Sequence, residues 1–450
     1  MKCHCLETVA LALAASLCAA VWACATDAPA GAGAAETPAA AGTAATPPAA
    51  GSGSGSAGLS APASPPAAPA PEVWPPGLVM DSLKGTSVGK EMDDLGLRLW
   101  GALETSYTGR LSNGESPLPL RNYDAVRPDS LRLNQMQLTL DRPYDNTKNF
   151  DFGGRFDLLY GGDAKFTHAA GLDDHIGGLG NDDFQWADLL QAYGQLWFKT
   201  GKESGLELTG GKFLELAGSE SAEATNNLLY SHSDIYTFLE PTTLTGGMAK
   251  YLFNSQFFGY FGVVEGWDVV EDNNTAMTCI AGGGWSSQAQ VAGHARTQAL
   301  LNLMTGPERS NDNSHYRTLT DVVLNQSWTE KLTESLNFDW VAEEDVPGIR
   351  HKRADALGAA HYLTYTFNDY VSGTWRAEEM RDDGGWRTGV NGDLFESTWG
   401  VSLTPAPNHP QLKNLVLRPE FRCDWADNPN AFGHGHESQL TLAVDLIYKF

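Results

Sequence analysis

Residues Ser438-Gln439-Leu440-Thr441-Leu442-Ala443-Val444-Asp445-Leu446-Ile447-Tyr448-Lys449-Phe450 decide how this chain is read. Successive side chains of a strand point to opposite faces. Leu440, Leu442, Val444, Leu446, Tyr448 and Phe450 therefore share one face, while Thr441, Ala443, Asp445 and Lys449 share the other. A strand crossing a bilayer needs this division, with one face toward lipid and the other toward an aqueous interior.

The pattern recurs upstream. Leu97, Leu99, Leu103 and Tyr107 alternate with Arg98, Glu104 and Ser106; Phe152, Phe156, Leu158 and Tyr160 alternate with Asp151, Arg155 and Asp157. Leu336, Phe338 and Trp340 alternate with Asn337 and Asp339. Val371, Trp375 and Ala377 alternate with Ser372, Thr374, Arg376 and Glu378, and Leu415, Leu417 and Phe421 with Arg418, Glu420 and Arg422. A soluble sandwich would show the same alternation, so connection lengths carry the decision. About sixteen such segments fit between residues 97 and 450, joined alternately by tight turns such as Asn254-Ser255 or Asn368-Asp369 and by long polar links. The long links include Gly161–Ala187, Leu214–Thr243, Thr305–Tyr316 and Asp382–Asp393, and Leu214–Thr243 is the third of them counted from the link after the first strand. The expected fold is all-β: a transmembrane antiparallel up-and-down barrel of about sixteen strands with both termini periplasmic.

Composition agrees. Aromatic residues make up 10% of the 450 residues, with 48 glycines for turns and 13 tryptophans for membrane interfaces. No stretch after the N-terminal leader has the run of apolar residues that a membrane-spanning helix requires. The formal charge is −25, with 55 acidic against 30 basic residues, and no basic face points to nucleic acid. Cys279 and Cys423, the two cysteines outside the leader, are too few and too far apart for a disulfide framework.

Lys2, the apolar run from Val9 to Ala25 and the small-residue site Ala23-Cys24-Ala25 read as a secretory signal peptide over residues 1–25. Residues 26–72 are dominated by Ala, Pro, Gly, Ser and Thr and read as a disordered linker. Residues 73–96 form an expected periplasmic N-terminal segment before the barrel at 97–450.

Three passages carry a resemblance. They are Leu99-Trp100-Gly101 with Thr105-Ser106-Tyr107-Thr108-Gly109, then Gly211-Lys212-Phe213 through Glu223, Asn226-Asn227, Ser231-His232-Ser233, Glu240-Pro241 and Gly246-Gly247, then Tyr260 to Asp268 with Asp272-Asn273-Asn274. In their order and spacing the chain resembles the OmpL-like β-barrel porins of bacterial outer membranes. The resemblance implies an outer-membrane channel for small hydrophilic solutes or ions, lying in lipid. Likeness to general porins further implies a homotrimer.

In sixteen-stranded porins the third external loop folds inward and narrows the pore. Here that loop carries Glu215, Glu220, Glu223, Asp234 and Glu240, expected to face the lumen-lining Arg155, Arg376, Arg418 and Arg422. Opposed charges across a constriction set up a transverse field, and an acidic ring raises local cation concentration. Catalysis is not expected. No Gly-x-Ser-x-Gly elbow or His-Glu-x-x-His helix is present, and Ser231-His232-Ser233-Asp234 places neighbours on opposite sides of a strand. No cofactor or metal is implied either: Asp173-Asp174, Asp182-Asp183 and His434-Gly435-His436 match no standard ligand spacing. Two readings stay open beside the channel: a barrel plugged by its loops that serves as a structural or adhesive surface protein, and a soluble carbohydrate binder.

Overall fold

The computed structural model describes residues 77–112, 118–123, 128–172, 186–349, 353–433 and 435–450. The expected signal peptide, the linker, the Asp173-Asp174 and Asp182-Asp183 pairs and His434 lie outside the described residues.

Two short helices, α1 (Leu78–Leu83) and α2 (Ser87–Leu95), precede the sheet, and a one-turn helix, α3 (Ala164–Thr167), follows its third strand in the chain. Thr86 caps α2 by accepting the Gly89 N–H, and Gly96 ends it in the left-handed conformation. The strands follow: β1 (Arg98–Arg110), β2 (Leu131–Arg142), β3 (Phe150–Gly161), β4 (Trp186–Lys199), β5 (Gly205–Leu214), β6 (Thr243–Leu252), β7 (Phe257–Trp267) and β8 (Thr278–Ser286). A small hairpin, β9 (Gln290–Val291) and β10 (His294–Ala295), stands apart from the main sheet. The rest are β11 (Thr297–Pro307), β12 (Tyr316–Ser327), β13 (Leu332–Glu344), β14 (Arg353–Asn368), β15 (Val371–Asp382), β16 (Gly392–Leu403), β17 (Leu415–Ala426) and β18 (Ser438–Lys449).

Among the described residues, sixteen of these strands form one closed antiparallel barrel, each pairing with its neighbours in sequence. The ends meet where β1 pairs with β18, from Ala102 opposite Lys449 to Arg110 opposite Thr441. Gly101 and Phe450 exchange both backbone hydrogen bonds at 2.8 Å, so the C-terminal residue completes the closure. A closed sheet leaves no unpaired edge, which hydrocarbon would not tolerate.

The faces follow the alternation. Leu442, Phe156, Leu158, Phe261 and Trp399 are exposed on the outside, while Asp445, Asp157, Thr398 and Arg376 are buried inside. Aromatic pairs gather at the short-turn end, including Phe150 on Phe198, Tyr251 on Phe253 and Tyr365 on Phe367. Such a belt matches a membrane interface.

Two features depart from the sequence reading. Alternation would carry one strand over 288–304, but Ala292 and Gly293 take positive φ and fold β9 and β10 into their own hairpin, so the barrel strand begins at Thr297. The inner face is also not uniformly polar: Val264, Ile280, Leu319, Val341, Met380 and Leu394 point inward and are fully buried. They pack against Ile235 and Leu239, which enter from a loop.

Candidate functional site: a loop pinned across the lumen

That loop is the third long link, between Leu214 of β5 and Thr243 of β6. Its stem closes where the Glu215 N–H donates to the Thr242 carbonyl at 3.2 Å. Between these points it holds a 3-10 turn (Ala224–Asn226) and a one-and-a-half-turn helix, α4 (Asp234–Leu239).

The first half of the loop meets β2 and β3. Gln135 donates to the Ala222 carbonyl at 2.8 Å and accepts the Ala224 N–H. Gln137 Nε2 donates to Glu223 at 2.6 Å, and Arg155 forms an ion pair with the same carboxylate. The second half meets β17 and β15, beyond the β1–β18 seam. Arg418 donates to the Asn227 carbonyl at 2.7 Å while pairing with Asp445, and Glu420 accepts the N–H groups of Tyr230 and Ser231.

Arg376 and Arg422 then grip the turn before α4. Arg376 pairs with Glu220 at 2.6 Å and donates to the Ser231 carbonyl at 2.7 Å. Arg422 donates to the His232 carbonyl and pairs with Asp234 at 2.8 Å. Glu396 lies within salt-bridge distance of both guanidiniums, which offsets their mutual repulsion. Glu378 accepts the Asp234 and Ile235 N–H groups, so a wall carboxylate sits at the positive end of α4 beside the Ser233 cap.

Two wall glycines make room for this approach. A Cβ on Gly358 would overlap Ile235, and one on Gly400 would overlap Leu229. The first long loop enters as well: Arg121 pairs with Asp424 at 2.9 Å, and the Tyr123 hydroxyl meets Thr242 at 2.7 Å with its ring against His232.

The nine expected site residues thus separate into three groups. Glu220, Glu223 and Asp234 each meet an arginine from the expected set. Arg418 instead pairs with Asp445 of its neighbouring strand and holds loop carbonyls. Among the described residues, Glu215 and Glu240 meet no arginine, and three of their carboxylate oxygens have no hydrogen-bond partner. Burial works against ionisation of Glu220, yet Arg376 and the Ser233 N–H hold its carboxyl below the usual range. Asp234 goes the other way: burial pushes it up to about 6 despite Arg422.

Gln135, Gln137, Arg121, Tyr123, Gly358 and Gly400 were missed by the sequence reading. Only alternation marked the two glutamines as inward, and nothing local marked the others. In the Ser231-His232-Ser233-Asp234 run, His232 Nε2 faces the Ser221 carbonyl at 3.1 Å, while Ser231 Oγ accepts from Arg376.

A closed sixteen-strand barrel with an inward third loop is the architecture of an outer-membrane channel, and the comparisons agree. The family model described as "Putative beta-barrel porin-2, OmpL-like" matches residues 96–450. The chain belongs to this family.

Solved porin-type barrels share its fold. The outer-membrane channel DcaP of Acinetobacter baumannii is 10% identical with a TM-score of 0.53, covering 79% of this chain and 97% of its own. OprB of Pseudomonas putida, in its high-pH structure, is 11% identical with a TM-score of 0.51, covering 81% and 96%. OmpT of Vibrio cholerae, in a trimer form, is 10% identical with a TM-score of 0.50, covering 79% and 99%. No curated protein sequence matches the chain. This OmpL-like porin is a bacterial outer-membrane protein, and its family and fold are those of a non-enzymatic channel.

Proposed function

We propose that this porin passes small hydrophilic solutes and ions by passive diffusion, with a preference for cations, past a constriction formed by its third loop. The observation that carries the reading is the loop's attachment to separate parts of the inner wall, from Gln137 on β2 and Arg155 on β3 to Arg376 on β15 and Arg422 on β17. A loop held that way narrows the pore and keeps its shape against thermal motion.

The charge balance supports the cation preference. Among the described residues, buried carboxylates outnumber buried Lys and Arg by nineteen to five. An excess of interior negative charge raises the local cation concentration.

The reading includes export by the leader at 1–25, a linker at 26–72, and both termini on the periplasmic side with the long loops outside. Assembly as a homotrimer in the outer-membrane lipid completes it, consistent with the trimer form of OmpT.

A second reading is favoured by one observation. Arg376, Arg418 and Arg422 are each no more than 2% exposed, as in a plugged structural or adhesive barrel. Planar-bilayer recording under a potassium chloride gradient separates the two. Stable conductance steps with a cation-directed reversal potential are expected; silence from correctly folded, heat-modifiable barrels selects the plugged form.

A further inference from the structure

The end of the third loop brings Glu240 against two wall carboxylates, Asp321 of β12 and Asp339 of β13. One oxygen of each lies within 4.8 Å of the others, and all three residues are buried. Glu240 is 5% exposed, and the two aspartates are 0% exposed. Three formal negative charges this close and this dry repel strongly unless a cation or protons join them.

Among the described residues, no Lys or Arg forms an ion pair with any of the three, and asparagine amides donate to Asp321 and Asp339. Asp321 takes amide protons from Asn302 at 2.5 Å and from Asn337 at 2.9 Å, and Asn337 also donates to Asp339 at 3.1 Å. Among the described residues, both Glu240 oxygens and Asp339 Oδ2 are buried with no hydrogen-bond donor. These unpartnered acceptors belong to the same three-carboxylate cluster.

We infer that Glu240, Asp321 and Asp339 bind a calcium ion that clamps the third loop to β12 and β13. Calcium takes six to eight oxygens at roughly 2.3–2.6 Å, so oxygens on opposite sides of the ion lie up to about 5 Å apart. The observed spacing falls inside that limit. Three carboxylates offer up to six oxygens, and hard oxygen donors suit calcium rather than softer metals. Magnesium fits less well, because it demands near-ideal octahedral geometry and usually keeps several waters instead of taking an all-protein cage. The clamp would fix the loop's exit from the lumen, two strands along the wall from the Arg376 anchor on β15.

The test uses the full-length folded barrel in detergent, stripped with EGTA and titrated with calcium chloride in a calorimeter. Saturable binding is expected, with a dissociation constant on the order of 0.1–1 mM, together with a calcium-dependent rise in the temperature at which the heat-modifiable band converts. Glu240→Gln and Asp339→Asn should abolish both effects while still giving a heat-modifiable band. Glu223→Gln, which touches a different anchor, should keep both. Absence of saturable calcium binding by the folded wild-type barrel would overturn the inference. So would a stabilisation by magnesium equal to that by calcium and unchanged in Glu240→Gln, or a stabilisation on acidification that calcium does not alter, since the latter assigns the cluster to shared protons.

Discussion

Glu220 of the inward loop and Arg376 of β15 lie 2.6 Å apart, with side chains 5% and 0% exposed. Tyr362 donates to the same carboxylate at 3.0 Å, and the Ser233 N–H donates to its other oxygen at 2.8 Å. This one carboxylate therefore ties together the loop, its α4 cap and two wall strands.

Removing one partner of such a pair leaves a buried charge without compensation, at a cost of about 3–5 kcal/mol. Arg376→Ala should therefore lower the temperature of heat modification markedly. The double variant Glu220→Gln/Arg376→Met should recover part of the loss, because no unpaired charge remains. Equal destabilisation by the single and double variants would show that the pair is not the anchor.

The glycine seats test the loop's position by shape alone. Gly358→Leu would fill the space that Ile235 occupies, and overpacking of this kind costs about 1–3 kcal/mol. The strain is relieved most readily by moving the loop, since the barrel hydrogen bonds are more numerous. Single-channel conductance should rise, while the folded barrel still resists SDS. An unchanged conductance would place the narrowest point elsewhere.

Much of this was legible beforehand, for a physical reason. The barrel strands obey a period of two imposed by lipid on one side, so Leu442 against Asp445, or Phe156 against Asp157, could be sorted from their spacing. Loop acidity identified Glu220, Glu223 and Asp234. What spacing could not give was which partner each charge meets, because Arg376 and Glu220 lie 156 residues apart in sequence. Nor could it show that Val264, Leu319 and Met380 face inward among polar positions. Their burial depends on Ile235 and Leu239 of a loop that has no strand periodicity of its own.

Glu308 follows β11 at the long-loop end and accepts from Trp267 N–H at 2.8 Å and from the Thr278 hydroxyl at 2.6 Å. Burial pushes its carboxyl from the ordinary 4.5 up to about 7, against those two hydrogen bonds. The folded protein thus holds a proton that the unfolded chain releases across that interval. Its contribution to stability is greatest below the unfolded value and declines as pH rises from 4.5 to about 7. Glu308→Gln carries no charge at any pH, so its melting temperature should change less over that window than the wild type's. Parallel profiles for the two proteins would contradict the assignment.

Phe261 and Phe257 both lie on the outer face of β7 and are 59% and 47% exposed, but they sit at different depths. Phe257 begins the strand beside the turn at Asn254, within the aromatic belt, whereas Phe261 lies near its middle. If the outer face meets hydrocarbon, an introduced arginine costs about 2–4 kcal/mol at the midplane and about 0–1 kcal/mol at the interface. Phe261→Arg should therefore lower the midpoint of denaturant unfolding in lipid vesicles much more than Phe257→Arg. A water-facing sheet has no reason to distinguish the two positions by depth. Equal shifts would contradict a hydrocarbon-facing outer surface at Phe261.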